Sequence, residues 1–327
     1  MALFGRKKQA PELIALGRDA IVVSKLRKTF GTFVAVDSID LTVQRGEIFG
    51  FLGPNGSGKT TTIRMLCGTI EPTDGTATVM GYDIRTDPEK VRCNIGYMSQ
   101  KFSLFQDLTV DENLRFYSGV YGLTAQKFAE RRDYILKMAD LEGREKELTK
   151  NLSVGWKQRL ALGCATLHEP KLLFLDEPTS GVDPTGRRQF WELLYDLAND
   201  GVTLFVTTHY MDEATHCNRL AFIYRGNIIA AGTPQEIKAG LAKDTILRLD
   251  VDDGEGALAA LADNPSVAEA YMQGAMLQVN IGRLTDADVD LTSVLGGAGF
   301  TVRHVERVEP TLEDAFVHLV TEQGGRA

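Results

Sequence analysis

Eight residues, Gly53-Pro54-Asn55-Gly56-Ser57-Gly58-Lys59-Thr60, constrain the fold of this 327-residue chain more than any other stretch. They match the pattern GxxxxGK[ST], and their flanks are the ones the pattern requires. Glu47-Ile48-Phe49-Gly50-Phe51-Leu52 reads as a short buried strand, and Thr61-Thr62-Ile63-Arg64-Met65-Leu66 as a helix that stops at Gly68. With strand, loop and helix in register, a chance glycine-rich turn is a poor alternative. The glycines let backbone N–H groups turn inward around the β- and γ-phosphates of a nucleotide. Lys59 adds a point charge, and Thr60 offers a hydroxyl to Mg²⁺. The segment predicts a nucleoside triphosphate site on an α/β sheet.

A second strand completes that chemistry. Lys171-Leu172-Leu173-Phe174-Leu175-Asp176-Glu177 is an apolar run that ends in two acids. A buried parallel strand delivers Asp176 at its carboxyl end, where open α/β sheets bind ligands and where the acid can hold Mg²⁺. The pleat sends Glu177 the other way, and it becomes the candidate to polarise an attacking water.

Between and beyond these strands, further motifs follow in order over residues 25–240. Ile95-Gly96-Tyr97-Met98-Ser99-Gln100 resembles a Q-loop, and Leu152-Ser153-Val154-Gly155-Trp156-Lys157-Gln158-Arg159-Leu160 a signature of the LSGGQ kind. Ser180-Gly181-Val182-Asp183 is similar to a D-loop and Thr207-Thr208-His209 to an H-loop. On these motifs the chain resembles an ABC (ATP-binding cassette) ATPase.

The resemblance implies a P-loop cassette over 21–244 with a helical insert over about 101–165. It implies ATP on Gly53, Pro54, Asn55, Gly56, Ser57, Gly58, Lys59, Thr60 and Thr61, with Phe30 of LRKTFG under adenine. Thr60, Gln100 and Asp176 are the metal-side residues; Glu177, His209, Lys59 and Gln100 are the catalytic ones. Ser153, Gly155 and Asp183 are assigned to the nucleotide of a second cassette, identical or not, packed head to tail. Val154 stands where the family has glycine and is expected to restrict the backbone there. Phe102 and Phe105, after Gln100, are expected in the core of the insert, and Trp156 and Trp191 as packing residues.

Charge divides the chain. Residues 1–244 carry 31 basic and 30 acidic residues, whereas 245–327 carry 5 and 14. The acidic part alternates as a strand over 245–251, a helix over 257–262 and a hairpin of 267–273 and 276–281 around Gly274. A helix over 287–295, a strand over 301–308 and an amphipathic helix over 311–320 capped by Thr311 follow. The order βαββαβ fits a small ferredoxin-like α+β unit with a regulatory or dimer-stabilising role. Asp250, Asp252, Asp253, Asp286, Asp288 and Asp290 lack the EF-hand pattern and are read as a solvated face.

No run of 18 apolar residues is present, so no membrane-spanning helix is expected. Residues 1–20, with Arg6, Lys7 and Lys8, read as a flexible tail and not as a secretory signal. Cys67, Cys93, Cys164 and Cys217 lack CxxC spacing and are expected as free thiols. The signature ending and the tail PTLEDAFVHLV are similar to ABC-2-type exporter ATPases of the drug-efflux kind. That likeness implies separate permease subunits as partners and a peripheral place on the cytoplasmic face of the inner membrane. A soluble ABC ATPase of nucleic-acid metabolism or translation is the alternative, but the basic stripe nucleic acid needs is lacking, so no nucleic acid is expected. An importer ATPase is a further alternative, against which the tail argues.

Overall fold

The computed structural model describes residues 18–100, 104–241, 244–284 and 289–322. The expected tail with Arg6, Lys7 and Lys8 lies outside the described residues, as do Lys101, Phe102, Ser103, Asp286 and Asp288. The chain forms two compact units, one of residues 1–208 with 225–227, the other of 209–224 with 228–327.

The first unit opens with strands β1 (Asp19–Phe30) and β2 (Phe33–Gln44). Strand β3 (Ile48–Leu52) leads through the glycine loop to helix α1 (Lys59–Leu66). Strands β4 (Asp74–Val79) and β5 (Tyr82–Asp83), helix α2 (Pro88–Asn94) and strand β6 (Ile95–Met98) follow. Three helices come next: α3 (Val110–Val120), α4 (Ala125–Met138) and α5 (Val154–Thr166). The unit closes with strand β7 (Leu172–Asp176), helix α6 (Pro184–Asn199) and strand β8 (Thr203–Thr208).

Two sheets result. One is antiparallel in the order β2-β1-β4-β5; the other carries the parallel strands side by side as β3-β8-β7-β6. Every residue of β3, β7 and β8 is buried, which explains their continuous apolar sequence: a parallel strand is covered on both faces. Phe205 sits at the middle of this sheet, with ring centroids of Phe49, Phe51 and Phe174 at 5.6, 5.4 and 5.4 Å. Each such ring contributes about 1.5–3 kcal/mol by burial. The register sets Leu52 beside Thr208 and Asp176 beside Thr207, so the carboxyl ends of β3, β8 and β7 meet.

The helical insert has its own core, in which Val110, Leu114, Ile135, Leu141, Leu160 and Leu167 are fully buried. A capping box of Thr109 and Glu112 starts α3, and Thr124 caps α4. Buried Asn113 ties the preceding loop down. Its Oδ1 accepts from the Phe105 N–H (2.9 Å), and its Nδ2 donates to the Phe105 carbonyl (3.1 Å) and Thr149 Oγ1 (2.9 Å). Phe105 itself corrects the sequence expectation. Its side chain is 45% exposed and packs edge-on against Phe116 at 4.5 Å, on the surface and not in the core. The Asn113 bonds grip the Phe105 backbone and leave the ring outside.

In the second unit, strands β9 (Arg219–Tyr224) and β10 (Asn227–Gly232) precede helix α7 (Pro234–Ala239), which Thr233 and Glu236 cap. Strand β11 (Ile246–Val251), helix α8 (Gly254–Leu261) and the hairpin β12 (Glu269–Gln273) with β13 (Met276–Asn280) come next. Helix α9 (Leu291–Gly297), strand β14 (Val302–Val308) and helix α10 (Leu312–Glu322) end it. The antiparallel sheet runs β12-β13-β11-β14, the strand order of a ferredoxin-like unit. Leu247, Leu249, Leu277 and Val279 pack under Leu261 of α8 and Leu295 of α9.

Helix α10 is anchored by a buried carboxylate. Asp314 accepts from Tyr271 Oη (2.9 Å), Gln278 Nε2 (2.9 Å) and the Thr311 hydroxyl (2.6 Å). Phe316 meets Phe222 of β9 at 5.3 Å, which gathers residues 209–224 with the C-terminal part although the charge boundary lies near 244. The acids of this unit have local work. Asp253 caps α8, Asp290 caps α9, and Asp252 accepts from the Thr301 N–H at 3.0 Å.

Candidate nucleotide site

The site lies in the first unit, where the loop after β3 meets the ends of β7 and β8. Gly56 and Gly58 have φ of 80° and 111°, left-handed values that only glycine adopts cheaply. Gly58 is the N-cap of α1, with no side chain capping it and no acid in the first turn. The residues of that turn line a cavity of about 350 Å³ together with Asn55, Gly56, Gln100 and Glu177, with Phe33 and Ala35 also in its wall. Unsatisfied helix donors at a positive dipole end favour an anion. The Ser57 hydroxyl is buried without a hydrogen-bond partner, one more unmet donor of the loop. These features fit a polyphosphate.

Lys59 is 5% exposed; its Nζ donates to the carbonyls of Gly53 (2.8 Å) and Pro54 (3.1 Å) and lies 3.3 Å from Glu177 Oε1. Gln100 Nε2 donates to the other Glu177 oxygen at 2.9 Å. Thr60 Oγ1 donates to Asp176 Oδ2 at 2.9 Å, and Thr207 Oγ1 to Asp176 Oδ1 at 2.7 Å. The hydroxyl and carboxylate expected to hold Mg²⁺ are thus in contact. Hard oxygen donors, few in number and beside a phosphate loop, suit that ion. Burial, reinforced by the Asp176 charge, pushes the Tyr97 phenol up to about 12.

Glu177 does not leave β7 by pleat alternation, as its sequence position suggests. Strand β7 ends at Asp176, and Glu177 has a φ of 50°. A left-handed non-glycine residue costs about 1–3 kcal/mol and persists only where its surroundings hold it. Here the Glu177 N–H is bound by both the carbonyl and the hydroxyl of Thr207, each at 3.1 Å. That turn brings the carboxylate back over Lys59.

Other expected site residues stand elsewhere. Ser153 is the exposed N-cap residue of α5, its hydroxyl not spent on a cap bond, and Gly155 lies in the first turn of that helix. Asp183 caps α6 through the Gly186 N–H at 2.9 Å. None of these three lines the cavity. Val154 does not strain the backbone: it is the first residue of α5 and has no positive φ, so valine fits where glycine was expected. His209 begins the second unit, its ring 4.1 Å from that of Tyr210.

Phe30 and Phe33 face each other across the β1–β2 turn, 52% and 62% exposed. Of the two, Phe33 lines the cavity. Sequence reasoning passed over Phe33; an aromatic one turn from Phe30 was the available signal. Thr207 carries no such signal beyond its place in the Thr207-Thr208-His209 motif, because its role depends on cross-strand register. Trp191 is buried on α6, and Trp156 is flanked by the guanidinium groups of Arg144 and Arg159 at 4.6 and 5.1 Å. Cys67, Cys164 and Cys217 are buried and Cys93 exposed; all four are free thiols.

Comparison with known proteins bears on the family of the chain. A family model described as ABC transporter matches residues 36–180, and one described as the C-terminal domain of DrrA1-3-like ATP-binding proteins matches 232–320. A third, described as an AAA domain of a putative AbiEii toxin, overlaps residues 151–211. The chain is 50% identical over 228 residues to the probable multidrug ABC transporter ATP-binding protein YbhF of Escherichia coli (strain K12). That match takes in 70% of this chain but 39% of YbhF. It is 35% identical over 301 residues to the linearmycin resistance ATP-binding protein LnrL of Bacillus subtilis (strain 168), covering 90% of this chain and 96% of LnrL. Among solved structures, the dimeric post-hydrolysis state of the ATP-binding cassette MJ0796 with ADP and Pi matches with a TM-score of 0.60 at 26% identity. It covers 65% of this chain and 98% of MJ0796.

Proposed function

Because the chain belongs to the family of ABC transporter ATP-binding proteins, we propose that it is the ATP-hydrolysing subunit of an ABC-2-type membrane exporter. The observation that carries this reading is one cavity that joins an uncapped phosphate loop, Lys59, Gln100 and the Glu177 carboxylate, with Thr60 and Asp176 in contact beside it. Phosphoryl transfer to water asks mainly for positioning and charge stabilisation. Lys59 and the loop N–H groups hold the β- and γ-phosphates. Mg²⁺, which Thr60 and Asp176 would hold with Gln100 nearby, supplies charge neutralisation at those phosphates. Glu177 orients the attacking water and takes up its proton. The family resemblance assigns His209 the role of sensing the γ-phosphate.

A second cassette, identical or not, packs head to tail on this one, a reading that the dimeric state of MJ0796 supports, and the family resemblance assigns Ser153, Gly155 and Asp183 to its nucleotide. ATP binding closes such a dimer and hydrolysis opens it. The acidic C-terminal unit regulates or stabilises the pair. A groove of about 770 Å³ between the parallel sheet and the helical insert, with Tyr97, Tyr121 and Leu123 in its wall, suits a helix of a permease subunit. The subunit then works as a peripheral protein on the cytoplasmic face of the inner membrane. Its cargo is of the drug or amphipathic class, by analogy with the names of YbhF and LnrL.

Purification from membranes tests the assembly. The chain is expected to co-purify with an apolar multi-span permease and to hydrolyse ATP in that complex. Recovery as a free protein whose ATPase is stimulated by nucleic acid would sink the exporter reading. The exposed aromatic pair adds a second expectation. Replacing Phe30 and Phe33 together by alanine removes a base-stacking surface worth about 1–3 kcal/mol. ATP binding measured by fluorescence titration should weaken roughly 5- to 150-fold, and the single variants assign the loss to one ring.

A further inference from the structure

We propose that Thr207 is the positioning residue that locks Asp176 and Glu177 into one fixed arrangement, its single hydroxyl bonding to both. The proposal rests on the ATPase reading above and adds to it a residue outside the expected site set.

Three observations converge on this side chain. Parallel register places Thr207 directly beside Asp176, the last residue of β7. Its hydroxyl donates to Asp176 Oδ1 at 2.7 Å and accepts from the Glu177 N–H at 3.1 Å. The residue is wholly buried, so no solvent competes for either bond. A hydroxyl has one proton and two lone pairs. The proton is committed to Asp176, which leaves a lone pair for the Glu177 amide.

The consequence is geometric. Asp176 has its two oxygens held from opposite sides, Oδ2 by Thr60 and Oδ1 by Thr207. Were Thr60 to hold a cation instead, Thr207 would remain as the donor that keeps the carboxylate plane in place. The same hydroxyl steadies the left-handed residue that aims the Glu177 carboxylate at Lys59. One group therefore sets the spacing between the metal-side acid and the water-side acid. A buried valine would fill the same space and pack as well, yet bond to neither.

The test uses Thr207→Val and Thr207→Ser in the full chain. Outer-sphere partners of metal ligands typically contribute 10- to 100-fold in metal affinity or activity. Thr207→Val is expected to bind ATP in EDTA like the parent and to bind Mn²⁺ in the ATP-loaded protein about tenfold more weakly by electron paramagnetic resonance. Its kcat should fall by about tenfold or more with little change in KM for ATP. Thr207→Ser, which keeps the hydroxyl, should restore both quantities. If Thr207→Val does not fold, Thr207→Ala supplies the hydroxyl deletion.

A hydroxyl-free variant with parental Mn²⁺ affinity and kcat overturns the proposal, as does a serine variant as impaired as valine. A parent chain that binds ATP but gives these null results leaves the ATPase reading standing. A parent chain that binds no ATP overturns both.

Discussion

Exchange of Glu177 for glutamine is expected to slow ATP hydrolysis by about 10²- to 10⁴-fold, the usual contribution of a positioned general base, while ATP binding survives. The side chain keeps its shape, and its carbonyl oxygen can still accept from Gln100 Nε2, now at 2.9 Å from Glu177. What disappears is the negative charge beside Lys59, 3.3 Å away and almost fully buried. Lys59 then has no internal counter-ion to leave when a phosphate arrives, so nucleotide affinity should hold or rise. Single-turnover hydrolysis measures the first effect. Size-exclusion chromatography with ATP measures the second, and an ATP-stabilised dimer is the expected species. Hydrolysis at the parental rate would remove Glu177 from its role.

The second large effect is on stability. Phe205 is completely buried, and three other rings surround it. Its replacement by alanine empties the centre of the parallel sheet and should cost about 3–5 kcal/mol. For a unit of some 200 residues that lowers Tm by roughly 6–20 °C, taking about 2–4 °C per kcal/mol. Phe205→Leu, which keeps most of the volume, should cost less than about 1.5 kcal/mol. Saturating ATP at 100 times Kd should return about 2.7 kcal/mol, because ligand binds only the folded chain. Differential scanning calorimetry with and without nucleotide checks both figures. A loss below about 1 kcal/mol would mean that the sheet centre is not where the stability of this unit resides.

Phe205 also shows how local and distant information divide. Its burial is legible, since the run 202–206, before His209, reads as an apolar strand. Its neighbours are not, because β8 lies between β3 and β7 although it follows both in the chain. That ordering puts Thr207 against Asp176. Glu177 makes the same point at one residue. Pleat alternation does not aim it, because β7 ends at Asp176; the actual device is a left-handed backbone held by a strand 30 residues later. Phe105 misled because hydrophobicity predicts burial only on average; the loop's polar anchor, Asn113, decided which side of the chain faces out.

By itself the sequence determined the phosphate loop with its left-handed glycines, the buried strands, and the βαββαβ order of the acidic part. Each of these is local, set by backbone freedom, hydrophobic period or capping within a few residues. Tertiary structure alone decided that Lys59 would face Glu177, that Phe33 would border the cavity, and that helix α10 would return to β9. These depend on strand order and cross-strand register, which pair residues far apart in the chain. The local pattern of either partner carries no record of the other.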